Sequence, residues 1–177
     1  MWISKRAVVM VLAVAIGALA MAFAAGAIGK PGKGHPQGPN HQGKHTGAPL
    51  IKESLAPSHV GDPMFHGVSP GGAPWALRAG NVRLKRDGKF NLRVKGLVIP
   101  GIGTPGPVAT ISASLYCGAD SNTTAADTTQ QVPISATGNA RIFDRSFSVP
   151  STCLAPVILV HPNGIATLYI ALDGWRL

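Results

Sequence analysis

The sequence predicts an all-β domain and favours an antiparallel two-sheet sandwich of immunoglobulin-like size over a small β-barrel. Residues 109–117 (ATISASLYC) alternate apolar and polar side chains, which indicates a half-buried strand. Gly (22) and Pro (15) make up about a fifth of the 177 residues, as is usual for a loop-rich β protein. Beyond the N-terminal apolar run, no segment has an apolar stripe with the 3.6-residue period of a helix.

Residues 1–27 have the features of a secretory signal peptide. Lys5 and Arg6 precede an apolar run from Ala7 to Ala20, and two small-residue triplets, AFA and AGA, follow it. An uncleaved membrane anchor is the alternative, but the run is short for a membrane span. We therefore expect a secreted, extracytoplasmic protein whose net charge falls from +9 to +7 on cleavage.

Residues 28–59 are predicted to form a disordered basic tether, typical of a spacer through a cell wall. Residues 29–45 contain no aliphatic or aromatic side chain, so this stretch cannot bury enough surface to offset its chain entropy. His35, His41 and His45 are weak candidates for metal binding because nothing holds them in a fixed geometry.

Residues 60–177 are predicted to form the folded domain, and its clearest local element is a β-hairpin over residues 82–94. A two-residue turn would place apolar residues opposite polar ones on both faces. A three-residue turn that ends in a left-handed Gly88 pairs Leu84 with Phe90 and keeps one face apolar. We therefore predict the three-residue turn.

The remaining elements follow from turn signals and alternation. Residues 96–107 are rich in Gly and Pro and are predicted to be a loop. The alternation slips at Ile142 and Phe143, and a bulge near Asp144 is predicted to restore it. Pro133 predicts an edge position for its strand. Further strands are predicted over residues 109–117, 132–136, 140–149, 157–161 and 165–172.

The two cysteines, Cys117 and Cys153, are predicted to form a disulfide. Secretion places them in an oxidising compartment, and one pair allows one intramolecular connection. Catalytic use is disfavoured because there is no C-x-x-C spacing and Cys117 ends an apolar face.

The polar face of the predicted hairpin is the best functional signal in the chain. It carries Arg83, Lys85, Lys89, Arg93 and Lys95, a surface that would attract teichoic acids, anionic lipid headgroups, acidic polysaccharide or nucleic acid. No aromatic residue interleaves with these charges, which argues against base stacking and sequence-specific nucleic-acid binding. The alternative is a solvated face that prevents aggregation.

Chemistry of other kinds finds little support in the sequence. Residues 101–106 fit G-x-G-x-x-G, but a strand rather than a helix follows them, so a dinucleotide is not predicted. Residues 120–124 begin like a calcium loop but lack its glycine and closing glutamate. Asp62 and His66 are interpreted as loop residues bonded to backbone. No cofactor or small-molecule ligand is identified.

Several motifs resemble a group of small secreted proteins of high-GC Gram-positive bacteria. The resemblance runs from about residue 65 to the C-terminus, and it implies secretion and paired cysteines but no assigned activity and no site residues. The motifs are FHGVSPGGAPW (65–75), GLVIP (96–100), GTP (103–105), SLYC (114–117), PSTCLAP (150–156) and HPNG (161–164).

Together these observations predict a secreted, non-enzymatic binding or structural module associated with the cell envelope. Its expected partner is an anionic cell-wall polymer or a membrane surface, attracted by the hairpin charges. Two alternatives remain open: a hydrolase with an unrecognised site near His66 or His161, and a metal-buffering protein that uses the histidines of the tether.

Overall fold

The computed structural model describes residues 48–174, and this part of the chain is all-β, with no helix. The predicted signal peptide, most of the predicted tether and its three histidines lie outside the described residues. None of residues 48–174 belongs to a helix that is long and apolar enough to cross a membrane. The strands are β1 (Ile51–Pro57), β2 (Ser69–Pro70), β3 (Ala79–Leu84), β4 (Phe90–Lys95), β5 (Thr110–Tyr116), β6 (Asp127–Thr128), β7 (Val132–Pro133), β8 (Ala140–Asp144), β9 (Val157–Pro162), β10 (Leu168–Tyr169) and β11 (Ala171–Asp173).

Nine of these strands form one curled antiparallel sheet. Its order is β6, β5, β9, β11, β1, β3, β4, β8, and β7 pairs with β5 at the edge beside β6. The short strands β2 and β10 form a separate parallel pair. The predicted two-sheet sandwich is not confirmed, and a sheet curled into a half-barrel fits the small-barrel alternative.

Strand β1 joins the two parts of the sheet. Residues 51–54 pair with β3, whereas residues 55–57 pair with β11. Ile51 and Leu55 are both buried in the main core. The domain therefore includes residues that the sequence assigns to the tether, and the predicted boundary after residue 59 is too late. Strand β1 is difficult to predict from the sequence, because it follows a strongly polar segment and its own apolar residues do not alternate strictly with polar ones.

The β3–β4 hairpin has the predicted register. Leu84 lies opposite Phe90, and both side chains are buried. The backbone NH of Lys85 donates to the carbonyl of Lys89 (3.0 Å), and Gly88 has a φ of 80°. The turn is therefore the three-residue type with a left-handed glycine, and one face of the hairpin is wholly apolar.

Strand β5 differs from the half-buried strand that its alternation predicts, because both of its faces are buried. Its apolar side packs in the main core, and a second cluster that contains Leu159 and Tyr169 covers the other side. Ser114 is buried, and its hydroxyl shares a 2.7 Å hydrogen bond with that of Thr128. The hydroxyl of Ser114 is thus satisfied within the protein rather than by water.

Strand β8 is regular, and the predicted bulge near Asp144 is absent from it. Ile142 is buried against β4, whereas Phe143 turns outward and is 53% exposed. Phe147 fills the core position instead, with its ring stacked on Phe90 at 4.9 Å. The strand therefore keeps its alternation by exposing a large aromatic ring.

The predicted disulfide between Cys117 and Cys153 is present. Cys117 follows β5 and Cys153 lies in the loop before β9, with 5.0 Å between their Cα atoms. The bond ties the end of β5 to the loop that precedes its neighbour β9, and it is typical of an extracytoplasmic protein.

Candidate anion-binding face

The charges of the domain are segregated along the sheet. All ten Lys and Arg residues between positions 48 and 174 lie on β1, β3, β4 or β8, in the residues that directly flank these strands, or in the turn between β3 and β4. Within the same range, β5–β7 and β9–β11 carry no Lys or Arg, whereas Asp127 and Asp173 lie on them. One half of the curled sheet is therefore strongly cationic.

The outward side chains of the four cationic strands form what we call the basic face. Strand register sets them in rows: Lys52, Arg83, Asn91 and Phe143 lie side by side, and so do Ser54, Asn81, Arg93 and Arg141. The structure places all five sequence-predicted candidates on this face and adds cations from β1 and β8. The cations of the basic face are Lys52, Arg83, Lys85, Lys89, Arg93, Lys95, Arg141 and Arg145.

The most cationic part of the basic face is a shallow depression of about 390 Å³ between β4 and β8. Its lining includes Arg78, Arg93, Lys95 and Arg141, and it includes no carboxylate. None of these four side chains forms an ion pair with another described residue. Arg93 lies directly opposite Arg141, an arrangement that costs stability until an anion neutralises it. This depression is therefore the strongest candidate for an anion site.

The turn end of the hairpin is less available to an outside anion. Lys89 forms a 3.0 Å ion pair with Asp87, and the side-chain hydrogen bond from Lys89 lowers the pKa of that carboxyl. Lys85 lies across the strand from Lys89, and Asp87 offsets part of their mutual repulsion. The centre of the candidate site consequently moves away from the turn, towards Arg93 and Arg141.

Sequence reasoning missed the contributions of Lys52, Arg78, Arg141 and Arg145. Lys52, Arg141 and Arg145 are distant from the hairpin along the chain, and only the sheet order brings β1 and β8 beside it, whereas Arg78 directly precedes β3. The alternation of β8 carries a partial signal, because Arg141 and Arg145 lie two residues either side of Phe143. A regular strand would have predicted all three on one face.

Phe143 places an exposed aromatic ring among these charges. The guanidinium carbons of Arg145 and Arg141 lie 5.2 Å and 6.0 Å from its ring centroid, within the range of cation–π attraction. The ring also lines a depression of about 170 Å³ together with Arg83 and Lys85. The premise that no aromatic residue interleaves with the basic residues is therefore wrong once β8 is included.

His66, in the loop between β1 and β2, has a structural role. His66 is only 3% exposed, and its ring stacks on Tyr116 at 5.0 Å. Its Nδ1 lies 2.8 Å from the carbonyl oxygen of Asn122, and its backbone NH donates to Asp120. Asp62 accepts a hydrogen bond from the backbone of His59. The contacts of His66 hold two loops together.

His161 on β9 is buried as well, at 1% exposure. Its Nδ1 donates to the carbonyl of Leu168 (2.7 Å), while Nε2 has no hydrogen-bond partner in the described part of the chain. Burial lowers the pKa of this imidazole, so the ring is neutral at physiological pH. Both histidines that the hydrolase alternative names are therefore buried.

The other perturbed acid, Asp173, lies in a depression of about 270 Å³ whose lining includes Glu53 and Phe65. Burial raises its pKa to about 6, and the nearby charge of Glu53 adds to the rise. Its Oδ1 accepts a 2.7 Å hydrogen bond from the backbone NH of Ile158. The described residues contain no cluster of three or more His, Cys, Asp or Glu placed to bind a metal ion.

Comparisons of the chain with protein-family models, with curated proteins and with solved structures find no match. The basic face is therefore interpreted from its own geometry and charge.

Proposed function

We propose that this protein is a secreted, non-enzymatic binding module of the cell envelope that is held on anionic polymers by its basic face. The observation that carries the proposal is the confinement of all ten described Lys and Arg residues to one half of the sheet. A charge distribution needed only for solubility would not have to be confined in this way.

The arrangement of these cations supports binding to a polymer rather than to a single small ion. Adjacent strands lie about 4.8 Å apart, and alternate residues along a strand lie about 6.8 Å apart. The basic face thus offers a regular array of cations over four strands, and an extended polyanion can contact several of them at once. The potentials of the individual cations add, so the face attracts anions more strongly than any single pair would.

The predicted signal peptide and tether complete the proposal. A tether that carries Lys30, Lys33 and Lys44 would add non-directional attraction to the same polymers and would let the domain reach through a wall. The disulfide between Cys117 and Cys153 suits a domain that works outside the cytoplasm.

Co-sedimentation of the mature protein with cell envelopes at low and high salt tests this proposal. The face variant combines Arg93→Gln, Lys95→Gln and Arg141→Gln. The matched control combines Lys30→Gln, Lys33→Gln and Lys44→Gln, so both variants lose the same net charge. We expect binding at low salt that falls at high salt, with the larger loss of affinity, about tenfold or more, in the face variant.

Two results would contradict the proposal. Absence of envelope binding by the wild-type protein at low salt would return the basic face to a solubility role. Equal loss in the two variants would show that net charge, rather than the folded face, drives the association.

A further inference from the structure

Phe143 distinguishes the basic face from a purely electrostatic surface. It lies next to the last residue of β8, with Asn91 beside it on β4 and an arginine two residues away on either side along the chain. A regular strand exposes the ring even though Ile142 and Phe147 next to it are buried. An exposed aromatic ring inside a cationic array fits a ligand that has both regularly spaced negative charges and planar rings.

We infer that the basic face binds single-stranded nucleic acid without sequence preference, with Phe143 as the stacking platform. This inference rests on the proposed polyanion-binding face and names its ligand. Phosphates would contact the cations of β3, β4 and β8, and a base would stack on the Phe143 ring. Binding sites for single strands on β-rich domains combine these two features, a cationic surface along the backbone and aromatic rings under the bases.

The position of Phe143 argues against a lipid surface as the ligand. Its ring lies on the edge strand β8, with the guanidinium carbons of Arg145 and Arg141 at 5.2 Å and 6.0 Å from its centroid. Among the described residues of β1, β3, β4 and β8, Phe143 is the one exposed large hydrophobic side chain, so this face offers no apolar patch to insert among acyl chains. A single nucleic-acid strand that lies flat on the sheet, by contrast, can contact the cations and the ring together.

The polar neighbours of Phe143 fit the same ligand. Asn91 lies opposite Phe143, and Asn81 lies opposite Arg93, so each row holds one amide group beside its cations. Amide side chains donate and accept hydrogen bonds, as sugars and base edges do. The depression beside the ring, about 170 Å³, is open to solvent along the hairpin, and three cations line it: Arg83, Lys85 and Lys89.

Fluorescence anisotropy with two labelled probes tests the inference on the mature protein. One probe is an oligothymidylate of about 16 nucleotides. The other is an abasic phosphodiester of the same length and charge. We expect the oligothymidylate to bind at least about fivefold more tightly, because one stacked base contributes a factor of roughly 5 to 150. Phe143→Ala should abolish the difference, whereas Phe143→Trp should retain it.

A second variant distinguishes a failure of this inference from a failure of the proposed function. Arg93→Gln with Lys95→Gln should weaken both probes equally, because both side chains line the cationic depression and neither is one of the two arginines in contact with the Phe143 ring. Equal affinity of the wild-type protein for the two probes would overturn the inference and leave polyanion binding intact. Absence of binding to either probe would overturn both. A Phe143→Ala variant that loses binding to phosphatidylglycerol vesicles, but not to oligothymidylate, would identify a lipid ligand instead.

Discussion

Asp173 is the acidic residue whose pKa the folded state changes most clearly. Burial raises its pKa from 3.8 to about 6, so the folded protein holds this proton more tightly than the unfolded chain does. As the pH rises from about 3.8 to 6, the unfolded chain loses the proton first, and the free energy of unfolding falls. Above pH 6 the buried charge is a constant cost to stability.

We predict that Asp173→Asn stabilises the domain at neutral pH. The amide oxygen can still accept the hydrogen bond from Ile158, and no charge is buried. The gain in the free energy of unfolding at pH 7.5 should approach about 3 kcal/mol, the value that corresponds to the pKa rise, and should vanish near pH 3.5. Urea denaturation at both pH values measures it.

Asp87→Asn is the control for this prediction. Its carboxyl is exposed, and Lys89 lowers its pKa, so its stabilising contribution is present at neutral pH and is lost in acid. The two substitutions should therefore show opposite pH trends. A gain for Asp173→Asn that is the same at both pH values would refute the titration argument.

At the scale of the element, the β3–β4 hairpin depends on its left-handed glycine. A Cβ at Gly88 would lie 2.5 Å from the carbonyl oxygen of Phe147, and the residue has a φ of 80°. We predict that Gly88→Ala lowers the free energy of unfolding. Backbone strain alone accounts for about 1–2 kcal/mol, and the expected loss is larger than that. Thermal and urea denaturation measure the loss.

Gly101→Ala is a matched control for the hairpin, because Gly101 has a φ of 91° and open space where its Cβ would be. It carries the dihedral cost without the steric clash. The excess loss at Gly88 then measures the contact between the turn and the segment after β8. Equal losses would show that this contact is not tight.

The disulfide is the second element whose contribution can be measured. We predict that Cys117→Ala with Cys153→Ala lowers the free energy of unfolding by about 2–4 kcal/mol, since it releases a constraint across a separation of 36 residues. Denaturation of the reduced wild-type protein should give a similar loss. A loss below about 1 kcal/mol would mean that packing alone fixes these loops.

Over the whole molecule, local features were predictable from the sequence and long-range ones were not. The hairpin register follows from a short stretch in which only one turn length keeps Leu84 opposite Phe90. The burial of Ser114 depends on a cover that includes Tyr169, far away in the chain, so alternation alone misassigned that face to solvent.

The candidate site shows the same limit. Five of its cations lie in one hairpin and were found from alternation. Lys52 and Arg141 join them only because β1 and β8 flank the hairpin, an adjacency that no local pattern encodes. Phe143 was misplaced because two adjacent apolar residues suggested a bulge, whereas the strand accommodates them by exposing one.

The sheet order has a consequence for how the chain acquires its structure. The strands that close the middle of the sheet, β9 and β11, come from the C-terminal end, and β11 pairs with β1 from the opposite end of the domain. For a polypeptide that emerges N-terminus first, the β1–β3–β4–β8 ladder can form early, but the centre of the sheet stays open until the last strands arrive. Such pairing between distant parts of the chain makes folding slow, and most of it takes place after synthesis or export is complete. The cationic half of the sheet would thus be assembled, and able to bind a polyanion, before β9 and β11 complete the middle of the sheet.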